Sequence, residues 1–70
     1  MTAPNNAPYQ PGDRLLHLPA MGATVTAVVY DRGDWIVRFR RDDGIRTEAR
    51  YRGGRDLDRK TAPIGAVNRG

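Results

Sequence analysis

Apolar and polar residues alternate along most of the chain between positions 23 and 51. Successive side chains of a strand point to opposite faces of a sheet, so a period of two gives one apolar and one polar face. A helix would need apolar residues at spacings of three and four, which this stretch lacks. The pattern therefore predicts three strands, at residues 23–30, 35–40 and 45–51.

Two short polar segments, residues 31–34 and 41–44, separate these strands. Each contains a glycine, and an Asp-Gly step such as Asp43-Gly44 between alternating runs is a strong hairpin signal. The three strands should therefore form an antiparallel meander. Because a meander alone leaves two edges open, other parts of the chain must close it.

The flanking segments supply two further short strands. Residues 14–18 follow a Pro-Gly-Asp turn and end at Pro19, which cannot donate to a strand ladder. After residue 51, Gly53 and Gly54 permit a sharp reversal into a closing strand with Leu57 pointing inward. Residues 1–10 and 60–70 offer little to bury and are predicted to be a disordered leader and a flexible tail, with the folded domain at residues 11–59.

Five short antiparallel strands in one small domain predict an all-β, five-stranded antiparallel SH3-like barrel. An OB-like barrel is the main alternative, although it usually needs a longer chain and often a helix. A three-stranded sheet that dimerises is the third. The predicted core consists of residues in the inward phase: Leu15 or Leu16, Val25, Ala27, Val29, Trp35, Val37, Phe39, Ile45, Ala49 and Leu57.

The composition favours a small intracellular binding protein over an enzyme. The chain has no cysteine, no serine and one histidine, His17, which excludes Cys/His and Ser/His/Asp nucleophile systems within one chain. His17 has no second histidine with which to share a metal. We therefore expect no catalytic residue, no metal and no cofactor. The chain also lacks a signal peptide pattern and a long apolar run, so we expect a cytoplasmic protein without membrane contact.

Arginine dominates the charge of the chain. The net charge is +4, and eleven of the twelve basic residues are arginine. Guanidinium groups on one barrel face could contact successive phosphates of RNA or DNA. Alternatively, the face is simply solvated, with Glu48 neutralising part of it, or it binds an acidic protein. The candidate nucleic-acid residues are five arginines and an aromatic residue for base stacking: Arg38, Arg40, Arg46, Arg50, Arg52 and Tyr30.

A second candidate surface is apolar. Val28 and Ile36 have the outward phase on neighbouring strands, and an exposed apolar patch usually marks contact with another chain. This patch, or addition of a partner strand at an open edge, predicts protein docking or weak self-association.

Several motifs resemble the Tudor/KOW-type SH3-like barrels, which occur at the C-terminal ends of repair helicases and in the polymerase-interaction domains of CarD-like transcription factors. The motifs are Pro11-Gly12-Asp13-Arg14-Leu15-Leu16-His17, Gly22-Ala23-Thr24-Val25-Thr26-Ala27-Val28, Trp35-Ile36-Val37-Arg38-Phe39 and Asp42-Asp43-Gly44. The resemblance implies an SH3-like fold that binds nucleic acid, RNA polymerase, a repair protein or another protein. A fainter resemblance is to the plasmid-borne type II dihydrofolate reductases, tetrameric SH3-like barrels whose active-site run has no match in residues 46–51.

Together these features predict a non-enzymatic accessory or adaptor factor in a nucleic-acid-handling machine. The chain would contact nucleic acid through an arginine-rich barrel face, as a monomer or weak homo-oligomer. The alternative is a module that docks on, or inhibits, a polymerase, nuclease or other protein.

Overall fold

The structure, a computed structural model, describes residues 7–64. It consists of one antiparallel sheet in the order β5-β4-β3-β2-β1-β6. Within residues 7–64, no helix is long and apolar enough to cross a membrane. The all-β antiparallel prediction is confirmed, with six strands instead of five. The strands are β1 (Arg14–His17), β2 (Met21–Asp31), β3 (Asp34–Arg41), β4 (Arg46–Arg52), β5 (Arg55–Asp56) and β6 (Thr61–Pro63).

The sheet curls until its two sides nearly meet, and residues 57–60 bridge the gap. On the β4 side, the Leu57 N–H donates to the Arg50 carbonyl at 2.8 Å, and Lys60 Nζ donates to the Glu48 carbonyl at 3.0 Å. On the β1 side, the Leu18 N–H donates to the Lys60 carbonyl at 2.7 Å. The result is a nearly closed small barrel, compatible with the SH3-like architecture.

The side chains that fill the barrel interior come from strands that the sequence predicted. Leu15, Val25, Val37 and Phe39 are the largest fully buried side chains. Burial of an aliphatic or aromatic side chain of this size stabilises the fold by about 1.5–3 kcal/mol. Of the two leucines left open by the sequence, Leu15 is the buried one. The buried core cluster comprises Leu15, Ala23, Val25, Trp35, Val37, Phe39, Ala49 and Tyr51.

An irregularity in β2 changes which of its side chains point inward. The pairing of β2 with β3 shifts register between Val25 and Ala27, at Thr26. A bulge inserts one extra residue, and a shift of one residue moves every following side chain to the other face. Val28 consequently packs against the core, whereas Val29 is 42% exposed. The prediction of Val29 as a core residue is wrong, and Ala27 is only half-buried.

Two other predicted core residues are also exposed, Ile45 at 52% and Leu57 at 40%. Ile45 lies in the turn before β4 instead of in the strand. Leu57 continues the pairing of β5 with β4 one residue further, which places it opposite Arg50 on the outward side. Both predictions fail because the alternating pattern does not show where a strand begins or ends: Ile45 precedes β4, and Leu57 follows the two-residue strand β5.

The fold extends beyond residues 11–59 at both ends. Ala7 and Tyr9, in the predicted leader, pack against the core. The Tyr9 ring meets the Tyr51 ring edge-on, with centroids 5.7 Å apart. In the predicted tail, strand β6 pairs with β1. The rest of the leader and tail, residues 1–6 and 65–70, lies outside the described residues.

Candidate functional site

The five arginines proposed from the sequence all project from the outward side of β3 and β4, and all five are exposed. The register pairs Arg38 with Glu48 and Arg40 with Arg46 across the two strands. We call this surface the outer arginine face. Its members are Arg38, Arg40, Arg46, Arg50 and Arg52.

Two members of the outer arginine face are held by carboxylates. Arg38 Nε lies 3.5 Å from Glu48 Oε1. Arg52 donates to both oxygens of Asp34, at 2.8 and 3.3 Å. The hydrogen bonds from Arg52 lower the pKa of Asp34 below its ordinary value. Because these guanidinium groups already have an anionic partner, a ligand would have to compete with that partner.

The other three members, Arg40, Arg46 and Arg50, form what we call the unpaired trio. Their guanidinium groups make no ion pair or hydrogen bond with any residue between 7 and 64. Arg40 and Arg46 are direct cross-strand partners, which places their Cβ atoms about 5 Å apart. Arg50 lies four residues further along β4, about 13 Å from Arg46. The trio therefore brings three positive charges without an ion-pair partner among residues 7–64 to one strand pair, with Glu48 between Arg46 and Arg50 on the same face.

The carboxylate of Asp42 is already engaged by another arginine. Arg14 donates two hydrogen bonds to Asp42, from Nη1 to Oδ1 at 2.7 Å and from Nη2 to Oδ2 at 2.9 Å. The hydrogen bond from Arg14 lowers the pKa of Asp42, and the charge of Arg40 also lowers it. The pair crosses directly over Gly22, where a Cβ atom would lie 2.6 Å from Asp42 Oδ2. Asp42 thus faces Arg14 first and compensates Arg40 only at longer range.

Tyr30 does not belong to the outer arginine face. The bulge at Thr26 turns Tyr30 to the inward phase, opposite Trp35. Its ring packs edge-on against Trp35, with centroids 5.0 Å apart. The sequence placed Tyr30 outward because the alternation runs through Thr26 without a visible break. The structure therefore separates the predicted stacking residue from the predicted phosphate-binding residues.

The predicted apolar patch has a different composition. Val28 packs against the core, and Ile36 is only 9% exposed. Val29, moved outward by the bulge, is the residue that faces Ile36 across the strands. Ile36 is followed in the same row by Arg50 and then Leu57. We call Val29, Ile36 and Leu57 the apolar row; Arg50, a member of the unpaired trio, lies within it between Ile36 and Leu57.

Residues that the sequence did not single out form a polar network at one end of the barrel. Asp56 Oδ1 accepts hydrogen bonds from the N–H groups of Asp58 and Arg59, at 2.9 and 3.0 Å. Asp56 Oδ2 accepts from the N–H groups of Lys60 and Thr61 at 2.9 and 2.8 Å, and from the Thr61 hydroxyl at 2.6 Å. We call residues 56–61 the Asp56 turn. It is visible in the sequence only as an aspartate ahead of a short polar run.

Burial and hydrogen bonding act in opposite directions on the pKa of Asp56. Partial burial alone would raise it, but the bonds donated by Thr61 and the backbone N–H groups outweigh burial and lower it. The Thr61 hydroxyl also bonds the hydroxyl of Tyr51, whose pKa is raised by burial. A pocket of about 430 Å³ opens here between Pro8, Pro63 and the edge-on rings of Tyr9 and Tyr51. Its polar groups are thus used in closing the barrel.

No group of histidine, aspartate and glutamate within residues 7–64 is arranged to hold a metal ion. The chain matches no known family model, no curated protein and no solved structure. The strand order, bridging segment and core define the class, an all-β antiparallel barrel that is nearly closed and compatible with an SH3-like barrel.

Proposed function

We propose that this protein is a non-enzymatic binding module that contacts nucleic acid through the outer arginine face, as an accessory or adaptor factor of a larger nucleic-acid-handling assembly. The observation that carries the proposal is the direct pairing of Arg40 with Arg46 across β3 and β4. Like charges in this position destabilise a sheet. A phosphate bound between the two guanidinium groups would turn that repulsion into two fork-shaped contacts.

The neighbouring arginines argue against a face that is merely solvated. Arg38, Arg41 and Arg52, on the same two strands, each have a carboxylate partner within the chain. The chain therefore has the means to pair arginines at these strands, yet the unpaired trio makes no ion pair within residues 7–64. An external anion would account for this difference between the paired arginines and the unpaired trio.

The finer assignment to the Tudor/KOW type is part of the proposal. It is supported by where the resembling motifs fall in the fold. Gly12 and Asp13 lead into β1, the motif beginning at Gly22 lies within β2, and Asp42-Asp43-Gly44 forms the hairpin between β3 and β4. In the barrels that they resemble, the corresponding motifs often open the first strand, continue in a second strand and form a hairpin.

Fluorescence anisotropy with labelled oligonucleotides at low salt tests the proposal. Arg46→Gln should weaken binding clearly, because it removes half of the Arg40/Arg46 phosphate site. Arg32→Asn is the matched control: it removes one charge from the far hairpin, and asparagine tolerates the positive φ of 52° at that position. If neither single- nor double-stranded RNA or DNA binds the wild-type protein, the proposal is wrong.

A second candidate function, protein docking, is favoured by the apolar row. Val29 and Leu57 are 42% and 40% exposed and lie on either side of Ile36. An apolar side chain of a partner could cover this row, with acidic residues meeting Arg50. Val29→Asp should abolish capture of such a partner from nuclease-treated lysate while leaving the fold intact, because Val29 is outside the core. Retained capture by this variant would exclude the apolar row as the docking site.

A further inference from the structure

The aromatic side chains of this protein all point away from the outer arginine face. The chain has one tryptophan, three tyrosines and one phenylalanine, and all five lie within the described residues. Trp35, Phe39 and Tyr51 are buried, and Tyr9 and Tyr30 pack against the same core. The surface that carries the unpaired trio therefore has no ring on which a base could stack.

This absence weakens the case for single strands. Proteins that bind single-stranded nucleic acid combine a basic groove with aromatic platforms, and each stacked base contributes about 1–3 kcal/mol. The outer arginine face lacks such platforms. A single strand could contact this face only through its phosphates, and it carries fewer phosphates per unit length than a duplex does.

Base reading in a duplex is also disfavoured by the shape of the face. β3 and β4 are flanked by β2 and β5, so the four strands span about 14 Å, wider than the major groove at about 12 Å. The β3–β4 hairpin could enter only by its tip, which carries Asp42 and Asp43. Both carboxylates are held in ion pairs, with Arg14 and Arg41. Residues 42–45 at the tip therefore present no arginine to a base edge, and Arg40 and Arg46 lie on the strands behind it.

Building on the proposed function, we infer that the outer arginine face binds the phosphate backbone of double-stranded nucleic acid without reading its sequence. One phosphate lies between Arg40 and Arg46, and a second contact is made by Arg50 further along β4. Arg38 and Arg52 contribute little while their carboxylate partners hold them.

This inference predicts how strongly the affinity depends on salt concentration. Each phosphate contact on B-form DNA contributes a slope of about −0.9 in a plot of log affinity against log salt. One phosphate at Arg40 and Arg46 and one at Arg50 therefore predict a slope of about −1.8 for the wild-type protein, reduced in magnitude by about 0.9 in Arg50→Gln and by up to about 0.9 in Arg40→Gln or Arg46→Gln, which share one phosphate. Arg32→Asn, on the far hairpin, should leave the slope unchanged.

The test measures anisotropy with two duplexes of unrelated sequence and with their separated strands, over a series of salt concentrations. The expected result is equal affinity for the two duplexes and weaker binding of every single strand. Tighter binding of a single strand, or a more than tenfold difference between the duplexes, would overturn the inference while leaving the proposed function standing. Failure of all these probes to bind would remove the proposed function itself.

Discussion

The Asp56 turn and the outer arginine face use charge in opposite ways. In the Asp56 turn, one carboxylate accepts five hydrogen bonds from residues 58–61. On the outer arginine face, the unpaired trio has no partner within residues 7–64. A charge that is satisfied within the chain contributes to folding, whereas a charge left uncompensated costs stability and is available to a ligand. Changes in the first region should alter stability, and changes in the second should alter binding.

The largest expected effect on stability comes from Asp56→Ala. It removes the acceptor of five hydrogen bonds, each involving a charged group and worth about 1.5–3 kcal/mol when buried. Because the turn is partly exposed and water replaces some of these bonds, we expect a loss of about 2–4 kcal/mol in the free energy of unfolding. Urea denaturation measures it.

Asp58→Asn is the matched control for this change. Asp58 accepts a single long bond, 3.2 Å, from the Arg50 N–H, so the variant should stay close to the wild type. An Asp56→Ala protein as stable as the Asp58→Asn protein would show that the barrel closes without the Asp56 turn.

The stability of the barrel should also depend on pH through Asp56. Its pKa is lower in the folded protein than in the unfolded chain, where an aspartate titrates near 3.9. The stabilisation is therefore fully present above about pH 5 and is lost as the pH falls through about 4 towards the folded-state pKa. Urea titrations at pH 7, 5, 4 and 3 should show a smaller acid loss for Asp56→Asn than for the wild type. Parallel losses would assign the acid sensitivity to other carboxylates, such as Asp34 and Asp42.

Val28 and Val29 provide a test of the bulge. Val28→Asp places a charge against the core and should cost about 2–3 kcal/mol. Val29→Asp changes an exposed side chain and should change stability by less than about 0.5 kcal/mol. Thermal or urea unfolding of the two variants measures the difference. If Val29→Asp were the more destabilising variant, the side chains of β2 would alternate without a bulge, as the sequence suggests.

This pair of valines also marks the limit of sequence-based prediction for the fold. In β3, the alternation of Trp35, Val37 and Phe39 predicts the buried face correctly, because β3 pairs with β4 in unbroken register. In β2, the residues around Thr26 alternate equally well, but the bulge depends on how β2 aligns with β3. No local pattern reports that alignment, so the inward and outward residues after Thr26 are interchanged.

The candidate site likewise has some features that the sequence predicts and others that it does not. The exposed positions of the five arginines follow from periodicity alone, and the structure agrees with them. Which of them are compensated depends on Asp34 and Glu48, whose positions opposite Arg52 and Arg38 are set by hydrogen-bonded pairing and register. The β6 strand is too short for any periodic signal, and the Asp56 turn holds its first residue, Thr61, in place.

Glu48→Gln should sharpen the distinction between paired and unpaired arginines. It removes the carboxylate that lies beside Arg38, so Arg38 becomes available to a phosphate and the salt-dependence slope should steepen by up to about 0.9. The pair is solvent-exposed, and its loss should have little effect on stability. An unchanged slope and affinity would mean that Arg38 is not within reach of the bound nucleic acid. Anisotropy over the same salt series provides the comparison.

The smallest expected change in the free energy of unfolding is that of Arg46→Gln, and whether it is a gain or a loss is informative. Arg46→Gln removes the like-charge repulsion with Arg40, so we expect the free energy of unfolding to rise by a few tenths of a kcal/mol. The same variant should bind nucleic acid more weakly. Arg38→Gln, which removes an arginine that has a carboxylate partner, is the control and should not gain stability. Precise urea curves at low salt, repeated at high salt where the repulsion is screened, resolve a difference of this size.

A stability gain together with an affinity loss would mean that the Arg40/Arg46 pair opposes folding and contributes to binding. A stability loss in Arg46→Gln would instead mean that its guanidinium has a favourable role in the free protein, and the contrast with the Asp56 turn would not hold at this position.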